Sequence, residues 1–266
     1  MFLSRGQNLA VGSIHKVLII IAVMIRYTHN YRVRYNETDF WGRLSIPALG
    51  DCLLDVAGLH ALDISTGIDT LQQQGLTWVI AGMKFKLGTM PTINSRFDVA
   101  TCVPVCTRIT TQRDFVASVG GVTFAEVSSE WLIINMSTRR PVFINEVLPQ
   151  LENACGDGTP LDRYKHLRHS SVGEEFVMNR KIGYSDVDVN RHLYSMRYLQ
   201  MALDTFDTNF MTHNRICEID VNFVSEVFWG QSVEIIRRSS DNIHNIEMQH
   251  NGKVVFRAEF VSTQLE

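Results

Sequence analysis

Asp186, Asp188, Asn190 and His192 fall within seven residues of the stretch YSDVDVNRHLYSMRYLQ, 184–200. Carboxylates accept protons, a primary amide holds a water or orients a carboxylate, and an imidazole gives and takes a proton near neutral pH. Side chains of these types suit the activation of a water molecule. An apolar stripe follows at once, with Leu199, Ala202, Leu203, Phe206 and Phe210 at helical spacing. The polar cluster therefore stands at the mouth of a helix that must be buried.

That helix belongs to a repeated plan. In the first block a strand-like YRVRY and a turn precede SIPALGDCLLDVAGLHAL, where Leu49, Leu53, Val56, Ala57 and His60 share a helical face. Ser45 suits the N-cap and Pro47 the first turn. The strand patterns LTWVIAGMKFKL, RFDVATCVPVC, TTQRDFVASV and VTFAEVSSEWLIINM follow, with Gly120-Gly121 as a hairpin turn. The second block repeats the order: EFVMNRKIGY, one helix, then RICEIDVNFVSEVF, QSVEIIRRS, NIHNIEMQHN and KVVFRAEFVSTQ, with Asn251-Gly252 as the strongest hairpin signal. Between the blocks, 150–175 has the Gly, Pro and charge content of a linker. The expected fold class is α+β, two units that each pack one long helix on an antiparallel sheet.

The blocks also align residue by residue. YNETDFWGRL from Tyr35 lies over YSDVDVNRHL from Tyr184, so Asp39 meets Asp188, Trp41 meets Asn190 and Arg43 meets His192. MKFKLGTMP over IDVNFVSEVF places Met90 opposite Glu226. Of Asp188, Asn190, His192 and Glu226, only the aspartate has a like counterpart in the first block. A turn or cap role accounts for Asp39 and Asp188 together; it accounts less well for Asn190, His192 and Glu226.

Totals narrow the field. A chain of 266 residues, 45% hydrophobic and 20% charged, is globular, and a net charge of -3 with no nucleic-acid motif argues against a nucleic-acid partner. Cys52, Cys102, Cys106, Cys155 and Cys217 are odd in number and scattered, which fits a reduced, cytoplasmic setting. Cys102 and Cys106 read as core thiols. His166 and His169 read as solvent-exposed linker residues, because no further ligands accompany them. The apolar run 17–24 is too short to span a bilayer. Of three readings, a chain starting at Met24 is preferred, then a native strand, then a signal segment.

DVDVNRH resembles the Asp-x-Asn-x-His signature of the acyl-acyl carrier protein thioesterases, double hotdog enzymes of plant plastids and bacteria. LTWVIAGMKFKLGTMP, SSEWLIINMSTRRP and FVSEVFWGQ are similar to other stretches of that family, in the same order, from about Arg26 onward. The resemblance implies a tandem (double) hotdog. It would comprise a non-family extension over 1–25, an N-terminal hotdog with the acyl-chain pocket over 26–149, a linker over 150–175 and a catalytic hotdog over 176–266. It places the catalytic set on Asp188, Asn190, His192 and Glu226. Plant members carry a cysteine just after that glutamate; Val227 stands there, and a valine is no nucleophile. They follow the histidine with Val-Asn-Asn, where this chain has Leu193-Tyr194-Ser195.

Hydrolysis of a thioester needs an activated water and a held oxyanion. Glu226, ranked first, or Asp188 can take the proton, Asn190 can hold the water, and His192 can serve substrate or leaving thiolate. Unpaired amides at the helix start suit the oxyanion. Trp41, Leu49, Leu53 and Trp78 would line the acyl chain, with Met90 and Val56 nearby. No cofactor or metal is implied. The partner would be acyl carrier protein with its phosphopantetheine-linked chain, met by a basic rim from Arg139-Arg140, Arg191, Arg197 and Arg237-Arg238. No stable membrane insertion is expected, and a homodimer is compatible. The competing readings are an acyl-coenzyme A thioesterase, a hotdog hydratase and a silent acyl-binding protein.

Overall fold

The computed structural model describes residues 27–151 and 160–265. The readings made for 1–25 and for Cys155 lie outside the described residues.

Among the described residues, ten strands form one antiparallel sheet. Those of the first half are β1 (Tyr27–Arg32), β2 (Leu76–Leu87), β3 (Arg96–Cys106), β4 (Thr110–Val119) and β5 (Val122–Asn135). Those of the second are β6 (Glu174–Lys181), β7 (Asn214–Phe223), β8 (Ser232–Ser240), β9 (Ile243–His250) and β10 (Lys253–Gln264). Their order across the sheet is β1-β3-β4-β5-β2-β7-β10-β9-β8-β6. Read from the middle outward, the two halves have the same connectivity. They meet where β2 pairs with β7, Lys84 lying opposite Asp220. These residues also align with each other in the repeat, so they stand on the pseudo-two-fold axis. There the duplicated sequence has become complementary, with Lys84 Nζ 3.3 Å from Asp220 Oδ2 and both side chains buried.

One face of the sheet carries the helices. α1 (Ile46–Asp63) starts as its sequence dictates: the Ser45 side chain accepts from the Ala48 amide and proline sits in the first turn. Leu49, Leu53, Val56, Ala57 and His60 are all buried. Short helices α2 (Ile68–Gln72) and α3 (Ile144–Val147) flank a small second core of Leu71, Leu76, Ile133, Ile144, Leu148 and Leu151.

The helix of the second half departs from the expected single rod. It divides into α4 (Ser195–Leu203) and α5 (Thr208–His213). The Thr205 hydroxyl donates to the Ala202 carbonyl at 2.7 Å, and Asp207 accepts from the Phe210 amide at 2.7 Å, capping a new start. Local side-chain bonds thus compete with the helical ladder. The apolar periodicity ran through the break because Phe206 still points into the core. α1 and α4 cross so closely that a Cβ on Gly50 would lie 2.0 Å from Met196 Sδ.

The segment between the halves is a strap over the other face. The Leu161 amide donates to Asp114, that of Lys165 to Asp220 and that of Leu167 to Asn222, at 2.7–2.8 Å. The Tyr164 hydroxyl donates to Glu130 at 2.8 Å, and its ring fills the space a Cβ on Gly82 would need. Polar residues of four central strands, Asp114, Glu130, Asp220 and Glu247, are buried there and bonded, as burial of charge requires. His166 and His169 are exposed on this strap. Cys102 is buried and Cys106 packs on the small core, with a register shift between Cys102 and Val105. Among the described residues no helix is long and apolar enough to cross a membrane.

Candidate active site

The turn before α4 is set by two carboxylates. Asp186 accepts from the Gly183 amide at 2.8 Å and meets Arg180. Asp188 Oδ1 accepts from the amides of Asn190 (2.8 Å) and His192 (3.3 Å), while the Asp188 amide donates to the His192 carbonyl at 2.9 Å. Arg191 closes the turn at φ 63°. The Asn190 side-chain amide lies 3.5 Å from Asp188 Oδ2.

Glu226 arrives from elsewhere in the chain. β7 ends at Phe223, short of the strand expected through Phe228, because the amides of Val224 and Ser225 both turn to the Val255 carbonyl. Val227 then accepts from the Leu193 amide at 2.7 Å, and Phe228 bridges to His192. This brings Glu226 Oε1 to 3.0 Å from His192 Nδ1. A carboxylate oxygen only accepts, so Nδ1 carries the proton of that bond, and in the neutral ring Nε2 carries none. The Phe228 ring stands edge-on to the imidazole at 4.7 Å. The Val227 side chain is fully buried in the core, so that position faces away from the cluster.

A third contributor comes from the first half. Arg139, at φ 58° in the turn after β5, also bonds Glu226 Oε1. Oε1 is thus held twice and Oε2 is left for another partner. Sequence reasoning placed Arg139 only on a basic rim. The signal available was the STRRP stretch itself; the inter-half contact has no sequence signature. Side chains of His192, Glu226 and Arg139 are between one-fifth and two-fifths exposed, open to a ligand yet partly desolvated.

The first amides of α4 receive no side-chain cap from Tyr194. Tyr194 instead bonds Asp51 of α1, whose carboxyl burial pushes above the usual carboxylate range while the Tyr194 hydroxyl pulls it down.

The residues expected around the acyl chain do not form one wall. Leu49 and Leu53 are sealed in the main core. Trp78 packs on the small core and donates to the Thr66 carbonyl at 2.9 Å. Trp41, half exposed, lines a cavity of about 1270 Å³ at the first-half turn, together with Met90. Asn190, His192 and Glu226 are not among the residues lining that cavity. At the polar cluster, by contrast, His192, Glu226 and Arg139 converge. Of the basic candidates, Arg197 lines the same cavity and Arg237 turns inward to the Thr205 carbonyl. Among the described residues no cluster of His, Cys, Asp and Glu could hold a metal ion.

Residues 25–150 match the family model for the acyl-ACP thioesterase N-terminal domain, and residues 169–262 that for the C-terminal domain. An acyl-ACP thioesterase structure from Bacteroides thetaiotaomicron superposes with a TM-score of 0.82 at 28% identity, covering 90% of this chain and 98% of that one. A 12:0-ACP thioesterase from Umbellularia californica gives 0.80 at 17% identity, over 90% and 98%, a likeness of fold. The chloroplastic palmitoyl-acyl carrier protein thioesterase of Cuphea hookeriana is 23% identical over 59% of this chain and 39% of its own length. The chloroplastic oleoyl-acyl carrier protein thioesterase 1 of Arabidopsis thaliana is 20% identical over 82% and 65%. The chain thus matches between about two-fifths and two-thirds of the length of these plant relatives.

Proposed function

The chain belongs to the acyl-ACP thioesterase family, and from that premise we propose that it hydrolyses the thioester of acyl-acyl carrier protein and releases a free fatty acid. The observation that carries this is the convergence of His192, Glu226 and Arg139 from three separate segments. In this reading Glu226 Oε1 is anchored by Arg139 and His192, and Oε2 takes the proton of the attacking water. Asn190 holds that water, and Asp188 shapes the turn that presents both Asn190 and His192. The uncapped amides of α4 receive the oxyanion, a role in which one donor is worth about 3 kcal/mol. The unprotonated Nε2 of His192 carries that proton from Glu226 to the departing thiolate of the phosphopantetheine arm. The thioester C–S bond breaks, the new C–O bond comes from water, and no enzyme thiol takes part.

We assign catalysis to the half over 176–266 and the acyl chain to the half over 26–149. A cytoplasmic setting belongs to the same proposal, supported by the scattered cysteines. The acyl-coenzyme A reading shares this chemistry and differs only in the group beyond the arm. Turnover of one acyl chain on both carriers tests the assignment. A kcat/KM for carrier protein well above that for coenzyme A is expected, and equal values would move the substrate to coenzyme A.

A further inference from the structure

We propose that the cavity at the first-half turn is a second, non-catalytic binding site, and that its ligand is a long-chain carboxylate, a free fatty acid. The cavity occupies the position that the repeat makes equivalent to the catalytic cluster. It lies between the turn before α1 and the opposite half's α4, α5 and β7. Trp41, Arg43 and Met90 hold the places of Asn190, His192 and Glu226, so an acyl ligand here meets no water-activating set.

The wall has two kinds of surface. Leu203, Phe206 and Met211 supply apolar contact, against which the methylenes of a chain are favourably buried. A volume of about 1270 Å³ leaves ample room for a flexible chain. The charges select the head group. Every carboxylate on the wall is already engaged: Asp39 with Arg43, Asp51 with Tyr194, Asp204 with Arg180 and Asp207 with the Phe210 amide. Arg197 and Arg215 line the cavity too, and both are half-buried. Arg197 bonds Gln200 and lies near the Asp51 carboxylate, whose charge it favours, whereas Arg215 has no carboxylate within ion-pair distance among the described residues. A half-buried guanidinium without an acid is a receptor for a carboxylate. The choice of a fatty acid rests on the proposed hydrolysis, which makes that compound.

The test is a titration of carboxyl-13C-labelled dodecanoate, below its micelle concentration and without carrier protein, followed by 13C NMR. Wild type and Glu226→Ala should both show a bound carboxylate resonance. Arg215→Glu should lose it. Met211→Trp, which fills the cavity without touching charge, should weaken binding at least tenfold. Acyl-carrier turnover of Arg215→Glu in the absence of added acid should match wild type. A resonance that survives both Arg215→Glu and Met211→Trp, or that disappears in Glu226→Ala alone, would overturn the second site, as would no bound resonance in wild type. Failure of the hydrolase reading would instead appear as absent turnover, a separate measurement.

Discussion

The turn before α1 and the turn before α4 are built by the same bonds. Asp39 Oδ1 accepts from the amides of Trp41 and Arg43, both at 2.9 Å, as Asp188 does from Asn190 and His192. Glu37 ties back to the Arg34 amide as Asp186 does to that of Gly183. Leu44 donates to Pro91 as Leu193 does to Val227. The backbones are equivalent; what differs is what they carry. The first turn holds Trp41 and an Arg43 that closes on its own Asp39, and its helix is capped by Ser45. The second presents Asn190 and His192, faces Glu226, and leaves its helix uncapped. The first turn closes its polar groups on itself, and the second directs His192 across to Glu226.

Removing the imidazole should separate the turns most sharply. His192→Ala is expected to lower kcat about a thousandfold, within the range for a positioned acid–base group. Arg43→Ala should leave kcat within a few-fold, with both variants folded by circular dichroism. Equal losses would mean that both turns serve the reaction.

Acid stability compares the halves elsewhere. His60 of the first half and His244 of the second are each buried, and burial first, then the nearby Arg113 or Arg237, lowers each imidazole from 6.5 to about 4. His60 Nδ1 lies 2.9 Å from the Arg113 guanidinium, which only donates, so that nitrogen is an acceptor. The unfolded chain takes up these protons below pH 6.5, and the folded chain not until about pH 4. The stability is present above the higher value and is lost as pH falls through this window, by up to about 3 kcal/mol per histidine. Urea melts at pH 7 and 4.5 should show the drop, and His244→Phe should shrink it. A flat profile would mean that both imidazoles protonate in the fold.

The aspartates give a smaller contrast, between stability and rate. Asp39→Ala and Asp188→Ala should each cost about 1–2 kcal/mol, the scale of an unmet buried amide. Only Asp188→Ala should also slow turnover, because its turn positions His192. Smallest is Arg139→Gln, expected to reduce kcat about tenfold, or about 1.4 kcal/mol, with KM little changed and partial recovery in Arg139→Lys. An unchanged kcat would leave Arg139 a surface ion pair.

Much of this comparison was written in the sequence, and the reasons are local. β2, β3, β4 and β10 have the bounds their apolar alternation suggests, and Ser45 and Pro47 mark the start of α1 without tertiary help. The alignment of Met90 with Glu226 is legible because the duplication preserved spacing, and the bridges Arg43–Thr92 and His192–Phe228 keep that register. The break after Leu203 was not legible. A stripe of Leu199, Ala202, Leu203 and Phe206 looks continuous whether or not Asp207 caps a new helix. The Arg139–Glu226 contact joins residues 87 positions apart, and the strap's grip on the sheet depends on face-to-face placement. Spacing along the chain records neither. The cavity at the first turn is the same kind of feature, made by two halves that each look complete alone.

The central claim is that only the second turn activates water. It is tested most directly by the release of free fatty acid from acyl-acyl carrier protein by Glu226→Ala beside Met90→Ala. The account predicts that the first variant loses nearly all turnover while remaining folded, and that the second retains it. Full activity in Glu226→Ala, or its loss in Met90→Ala with the fold intact, would contradict the account.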